Sequence, residues 1–128
     1  MKRHHLLAVL LVTILATSCS TTNFTEYRGQ GVVEGKGGTV RVVEGIDFWE
    51  NGEPDRKYRI LGVIDDSRGD GLISRLGKDG AIAKVARERG GDAVILSGSS
   101  RELRGVDLDS GAAYHRRITK LVVVKYVP

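Results

Sequence analysis

The chain has 128 residues, with 20 lysines and arginines against 16 aspartates and glutamates and a formal charge of +4. That length holds one compact domain with a modest core, and a single cysteine excludes an intrachain disulfide framework. The densest basic spots, Arg101 to Arg104 and His115-Arg116-Arg117, sit among acids or turn residues. They lack the concentrated, aromatic-interleaved patch of a nucleic-acid surface, so no nucleic-acid partner is expected.

The chain opens on a basic start, Met1-Lys2-Arg3-His4-His5, followed by uncharged residues from Leu6 to Ala16. Thr17, Ser18 and Cys19 close the stretch. This is the layout of a secretory signal peptide over residues 1–18. The apolar run is too short for a membrane-spanning helix, which needs about 20 apolar residues. Ala16-Thr17-Ser18-Cys19 resembles the lipobox of bacterial lipoproteins, with Ala16 standing where leucine is usual. The resemblance implies cleavage between Ser18 and Cys19 and acylation of Cys19, palmitate among the chains. More than one chain is needed for a stable anchor, and the resemblance implies several. A signal cleaved without lipidation would have no use for Cys19. Ser20 replaces the aspartate that retains such proteins in the inner membrane of enteric bacteria, which points to the periplasmic side of the outer membrane. Cleavage would remove Lys2 and Arg3 and leave 18 basic against 16 acidic residues. Acylation would also consume the only thiol.

Ser20 to Gln30 is polar and without period, which predicts a tether over residues 19–30 and a domain over 31–128. Gly31 to Glu34 and Thr39 to Glu44 are valine-rich runs around Gly35-Lys36-Gly37-Gly38, the pattern of a hairpin with a flexible turn. Ile46-Asp47-Phe48-Trp49 continues extended, and Asn51-Gly52 with Pro54 marks a turn. Tyr58 to Ile64 has the apolar run of a strand buried on both faces, and Asp65 to Gly71 has the composition of a polar loop. From Leu72 to Arg89 the period becomes helical: Leu72, Leu76, Ala83 and Ala86 mark one face, with Ile73, Ile82 and Val85 beside them. Gly77 and Gly80 weaken this stretch by about 1 kcal/mol each relative to alanine, which moves the expected start toward Lys78 or Asp79. Gly90-Gly91 supplies a left-handed stop. Asp92 to Ser97 is a second buried strand, and residues 98–115 a long polar loop with Asp109-Ser110-Gly111 as a hairpin tip. Ile118 to Val127 is the last strand. The order predicts an α+β fold: a single small domain whose mainly antiparallel or mixed sheet has about five strands, with one main helix on one face.

Tyr58-Arg59-Ile60-Leu61-Gly62-Val63-Ile64, then Ala83-Lys84-Val85-Ala86-Arg87-Glu88-Arg89-Gly90-Gly91-Asp92-Ala93-Val94-Ile95, resembles the core of small bacterial envelope proteins. These are the YbjQ-type domains, named for heavy-metal binding, and the related stress-sensor lipoprotein of the Rcs phosphorelay. The likeness spans Tyr58 to Leu96, about a third of the chain. It implies the strand–helix–strand core and, from the ring-like YbjQ-type assemblies, a homo-oligomer. It carries over neither metal binding, which would want thiols or several histidines, nor the sensor's function, which relies on disulfides.

Asp66-Ser67-Arg68-Gly69-Asp70-Gly71 imitates the start of a calcium loop, but Arg68 and Gly77 fall where oxygen ligands belong. Calcium takes about six to eight oxygens; Asp107-Leu108-Asp109-Ser110-Gly111 offers still fewer. Arg68-Gly69-Asp70 spells a receptor-binding tripeptide, a match cheap by chance. Gly29-Gln30-Gly31 has no helix after it, as a phosphate-binding fingerprint requires, and Gly98-Ser99-Ser100 lacks the spacing of a nucleophile elbow. His115, the only histidine after the signal, is a surface residue on this reading, and Trp49 belongs to the core. The expected function is that of a non-catalytic, lipid-anchored envelope protein acting as a binding, sensing or structural module, with no cofactor and no metal. Its partners would be the membrane through Cys19 and either another envelope protein or its own copies. The alternatives are a hydrolase built on Asp65, Asp66, Asp70 and His115, and a small-ligand-binding lipoprotein.

Overall fold

The structure, a computed structural model, describes residues 20–69 and 76–128. In chain order its elements are β1 (Thr21–Glu26), β2 (Val32–Glu34), β3 (Gly38–Val43), β4 (Ile46–Gly52), β5 (Lys57–Gly69), helix α1 (Lys78–Glu88), β6 (Ala93–Val106) and β7 (Ala113–Tyr126). All the strands join one mixed sheet in the order β1-β5-β7-β6-β4-β3, with β2 beside β1 on the outer flank of β5. Only β4 and β6 run parallel; the other pairs are antiparallel. The α+β architecture with one helix on the sheet is as expected. The sheet has seven strands instead of about five.

One strand that was not expected, β1, lies at the start of the described residues, and the extended stretch from Gly38 to Gly52 divides into two strands, β3 and β4. Residues expected in a tether include β1, which pairs with β5 from Thr21 opposite Ser67 to Glu26 opposite Gly62. The segment is polar because β1 is an edge strand: Thr21, Thr25 and Glu26 are exposed while Thr22 and Phe24 turn inward. The expected hairpin of β2 with β3 does not form either. β2 pairs with β5 and β3 with β4, at opposite flanks of the sheet.

That arrangement constrains the sheet's shape. In a flat sheet β2 and β3 would stand five strand spacings apart, about 24 Å. The link from Glu34 to Gly38 reaches about 14 Å at most. The sheet therefore curls until its flanks meet at this end. The link lies over the β4–β5 connection: the Gly35 amide donates to the Arg56 carbonyl at 3.3 Å and the Glu53 amide to the Gly37 carbonyl at 3.4 Å. At Gly35 a Cβ would fall 1.8 Å from the Pro54 carbonyl oxygen, so only glycine fits the crossing.

Helix α1 covers one face. Ile82, Ala83 and Ala86 meet Ile46, Phe48, Ile64, Val94, Leu121 and Val123, with Val85 partly buried at the margin. Gly90, at φ 78°, ends the helix. Its amide reaches the Arg87 carbonyl and that of Gly91 the Ala86 carbonyl, the paired bonds of a left-handed glycine stop. Leu76, expected on the packed face, is 68% exposed: it precedes the helix, so the helical period does not govern it. Leu72 and Ile73 lie outside the described residues.

The opposite face gathers Trp49, Tyr58, Ala93 and Val124, bordered by Ile60, Ile95, Val122 and Tyr126. Trp49 is core, as expected. Its indole donates to the Tyr126 hydroxyl at 3.1 Å, which donates to Asp47 at 2.6 Å. Burial, and then the bond to Asp47, push the Tyr126 phenol up to about 12.

Residues 98–115, expected as a polar loop, are mostly strand. β6 and β7 pair out to Val106 opposite Ala113, and Asp107 to Ala112 makes the turn. Polar residues read as a loop here because the hairpin extends beyond the body of the sheet with water on both sides. The segment from Asp65 to Gly69, also expected as loop, is the end of β5.

Two predictions follow from the two faces. Ile82→Asp places an unpaired charge under the helix at a cost of several kcal/mol and should unfold the domain, whereas Lys84→Asp and Leu76→Asp should change stability by no more than about 0.5 kcal/mol. Thermal unfolding of the three variants checks this; similar losses in all three would mean that α1 meets the sheet by another side. On the opposite face the folded Tyr126 phenol titrates above its unfolded value of 10.0. Its contribution is therefore complete below pH 10 and lost as pH rises toward about 12. Denaturant unfolding at pH 8 and pH 11, followed by Trp49 fluorescence, should show a smaller alkaline loss in Tyr126→Phe than in the parent.

Candidate functional site

The strongest concentration of buried polar groups lies beneath the start of α1, where β1, β5 and β7 run side by side. β5 alternates, so Ile64, Asp66 and Arg68 point to the helix side. Asp66 is 1% and Arg68 8% exposed. Arg68 Nε donates to both Asp66 carboxylate oxygens, at 3.1 and 2.9 Å, and Thr22 Oγ1 donates to Oδ1 at 2.7 Å. Arg68 Nη2 reaches Thr22 Oγ1 at 3.3 Å. Both Asp66 oxygens are thus engaged.

Lys78 opens the helix, and its Nζ donates to Thr119 Oγ1 of β7 at 2.9 Å. Desolvation lowers the Lys78 pKa, against the opposing pull of Asp66 and Asp79. A cation in the first turn also opposes the helix dipole, and Gly77 before it supplies no side-chain cap. Asp79 meets Arg41 of β3 at 2.8 Å, and Arg41 also pairs closely with Glu50. A cavity of about 190 Å³ is lined by Asp66, Arg68, Gly69, Lys78, Asp79 and Arg117. A more apolar one of about 180 Å³ shares Lys78 and Asp79 and continues toward Phe48, Ile82 and Leu121. This arrangement can hold charge in place. Within it, both oxygens of the buried Asp66 carboxylate are already engaged by Arg68 and Thr22.

The residues singled out from sequence scatter. Ser18, Cys19 and Asp70 lie outside the described residues. Asp65 neighbours Asp66 on a strand and so faces the other side, where it stands 3.8 Å from Lys120. Asp66 is opposite Thr119 in the register. His115 is four residues farther along β7, about 13 Å away at strand spacing, opposite Leu103. Asp65, Asp66 and His115 therefore do not converge. The first residues of the calcium-like stretch, Asp66 to Gly69, are extended strand. Asp107 turns its carboxylate back to the amides of Asp109 and Ser110, at 2.8 and 3.3 Å. Arg68 of the receptor-like tripeptide is buried. Among the described residues no group of three or more His, Cys, Asp and Glu side chains could hold a metal ion. The Asp66–Arg68 pair escaped the sequence reading, although its signal was present: Ile64, Asp66 and Arg68 continue the every-second-residue pattern of a strand.

No protein-family model, curated protein or solved structure matches this chain. Within the structure, the Gly91-Asp92-Ala93 signature has local duties. Gly91 abuts Val123 and the Ala86 carbonyl, Asp92 accepts from the Tyr126 amide at 2.9 Å, and Ala93 is fully buried.

The ion pair makes a sharp stability prediction. Arg68→Ala leaves Asp66 buried without its counter-ion and should cost about 3–5 kcal/mol, while replacing both by Asp66→Leu and Arg68→Met should cost much less. Urea unfolding of the parent, both single variants and the double variant measures the coupling. Additive losses would show that the pair does not act as a unit.

Proposed function

We propose that the protein is a non-catalytic lipoprotein of the bacterial cell envelope, a small module that binds a partner protein or its own copies while held to a membrane by acylated Cys19. The observation that carries this reading is the sequence up to Cys19: basic start, short apolar run, small residues and the chain's single cysteine. The saturated state of Asp66, and the separation of Asp65 and His115 from it, favour a binding module over the hydrolase alternative. Ser20 favours the outer membrane, facing the periplasm. The resemblance to YbjQ-type and Rcs-sensor domains agrees with an envelope module and favours self-association among the possible partners.

The anchor is tested directly. Growth with labelled palmitate should label the parent chain and leave Cys19→Ala unlabelled, since no other thiol is present. An unlabelled parent, or a labelled Cys19→Ala chain, would overturn the lipoprotein reading.

A further inference from the structure

The long β6–β7 hairpin points the way the chain enters the sheet. Thr21, two residues after Cys19, pairs with Ser67, and Ser67 pairs with Ile118. From Ile118 the hairpin runs on to Ala113, about 17 Å at strand spacing, before its turn begins. From Thr21 back to Cys19 the chain reaches about 7 Å. An anchor at Cys19 is therefore on a shorter lead than the arm beside it.

The arm's composition changes with distance from the body. β7 alternates without interruption, so His115 and Ala113 share the helix-side face with Thr119 and Arg117. On β6, Leu103 is opposite His115 and Val106 opposite Ala113. Three residues apart, they would normally face opposite ways; the register shift between Leu103 and Gly105 brings both to one face. The outcome is a band with Arg101 opposite Arg117, then Leu103 and Val106, then Leu108 in the turn. Leu103 is 60%, Val106 53% and Leu108 97% exposed. In the same turn the Asp107 carboxylate is engaged by the amides of Asp109 and Ser110, and Asp109 stands exposed beside Leu108. From Arg101 to Arg117 there are four arginines against three carboxylates.

We propose that this arm is a membrane-contact element: the end bearing Leu103, Val106 and Leu108 enters the headgroup region of the same bilayer that holds acylated Cys19, with the arginines of β6 at the level of the lipid phosphates. The inference rests on the lipid-anchor reading. Shallow insertion of a few apolar side chains below a basic band is the usual chemistry of an interfacial segment, and arginines near an anionic surface add to it.

The test uses the full chain, processed in cells and reconstituted in vesicles of phosphatidylethanolamine and phosphatidylglycerol. Leu108→Cys, and Asp55→Cys in the connection at the opposite end, each add one thiol for an environment-sensitive fluorophore. A nitroxide-bearing phospholipid should quench the Leu108→Cys label, leave the Asp55→Cys label unchanged, and quench the Leu108→Cys label less when Leu103→Ser and Val106→Ser are added. A parent chain that itself takes the label has a free Cys19; that result overturns the anchor and the arm's role together. With the parent unlabelled, equal quenching at the two positions, or a disulfide between Leu108→Cys copies without quenching, overturns the membrane contact alone, the latter in favour of a second copy.

Discussion

Three residues, Gly35 to Gly37, have to join opposite flanks of a single sheet, and the rest of the architecture answers to that requirement. The link is too short to cross a flat sheet, so the sheet curls and its flanks meet at one end. There the backbones approach so closely that Gly35 has no room for a side chain beside Pro54. Curling gives the layer two unequal faces. One needs α1 to cover it. On the other, the crossing itself shelters the apolar groups: Gly37, Gly52 and Glu53 stand around a recess floored by Tyr58, Ile60, Ile95 and Val122. Trp49 and Tyr58 are buried together on a face that no described helix covers.

The opposite end has no such closure. β4 pairs with β6 only over Ala93 to Ile95, so farther along β6 has β7 on one side and no partner among the described strands on the other. An edge of that length would normally invite pairing with other chains. Here it is interrupted by register shifts after Leu96 and Leu103 and carries arginines at positions 101 and 104, devices that discourage strand addition. The same shifts decide which residues share a face, so the arm's apolar end is a product of backbone irregularity as much as of composition.

How much of this could be read from the residues follows from which physical signals are local. The helix stop at Gly90, the buried runs of β5 and β6 and the inward Trp49 depend on short-range period and glycine chemistry, and they were legible. The flanking strands were not. β1 is polar because an edge strand shows most of its surface to water, and β2 and β3 resemble a hairpin because their valines and intervening glycines satisfy the local pattern. Their true partners, β5 and β4, come later in the chain, and no local signal names them. The arm failed for a related reason: alternation is a sign of one-sided burial, and a ribbon wet on both sides has none. The Asp66–Arg68 pair is the converse case: its charges suggest solvent, but the alternation of β5 runs through them and carries both side chains inward.

That pair also explains how β1 can be the first element after the proposed anchor and still be held in register. Thr22 is one residue into β1, and its hydroxyl is fixed between Asp66 and Arg68 on β5. A slip of one residue would turn Thr22 to the other face and leave the buried pair without its third member. Apolar contacts alone would resist such a slip weakly here, because only Phe24 of β1 reaches the core under the helix. Directional bonds to a buried charge specify one pairing where packing would tolerate several, which is the best-attested benefit of ionic groups in a core. On the proposed anchor, a pull on Cys19 would enter the fold at Thr21, one residue from this point. The polar cluster beneath α1 thus has a structural duty, to fix the register of β1 on β5, and that duty accounts for its burial.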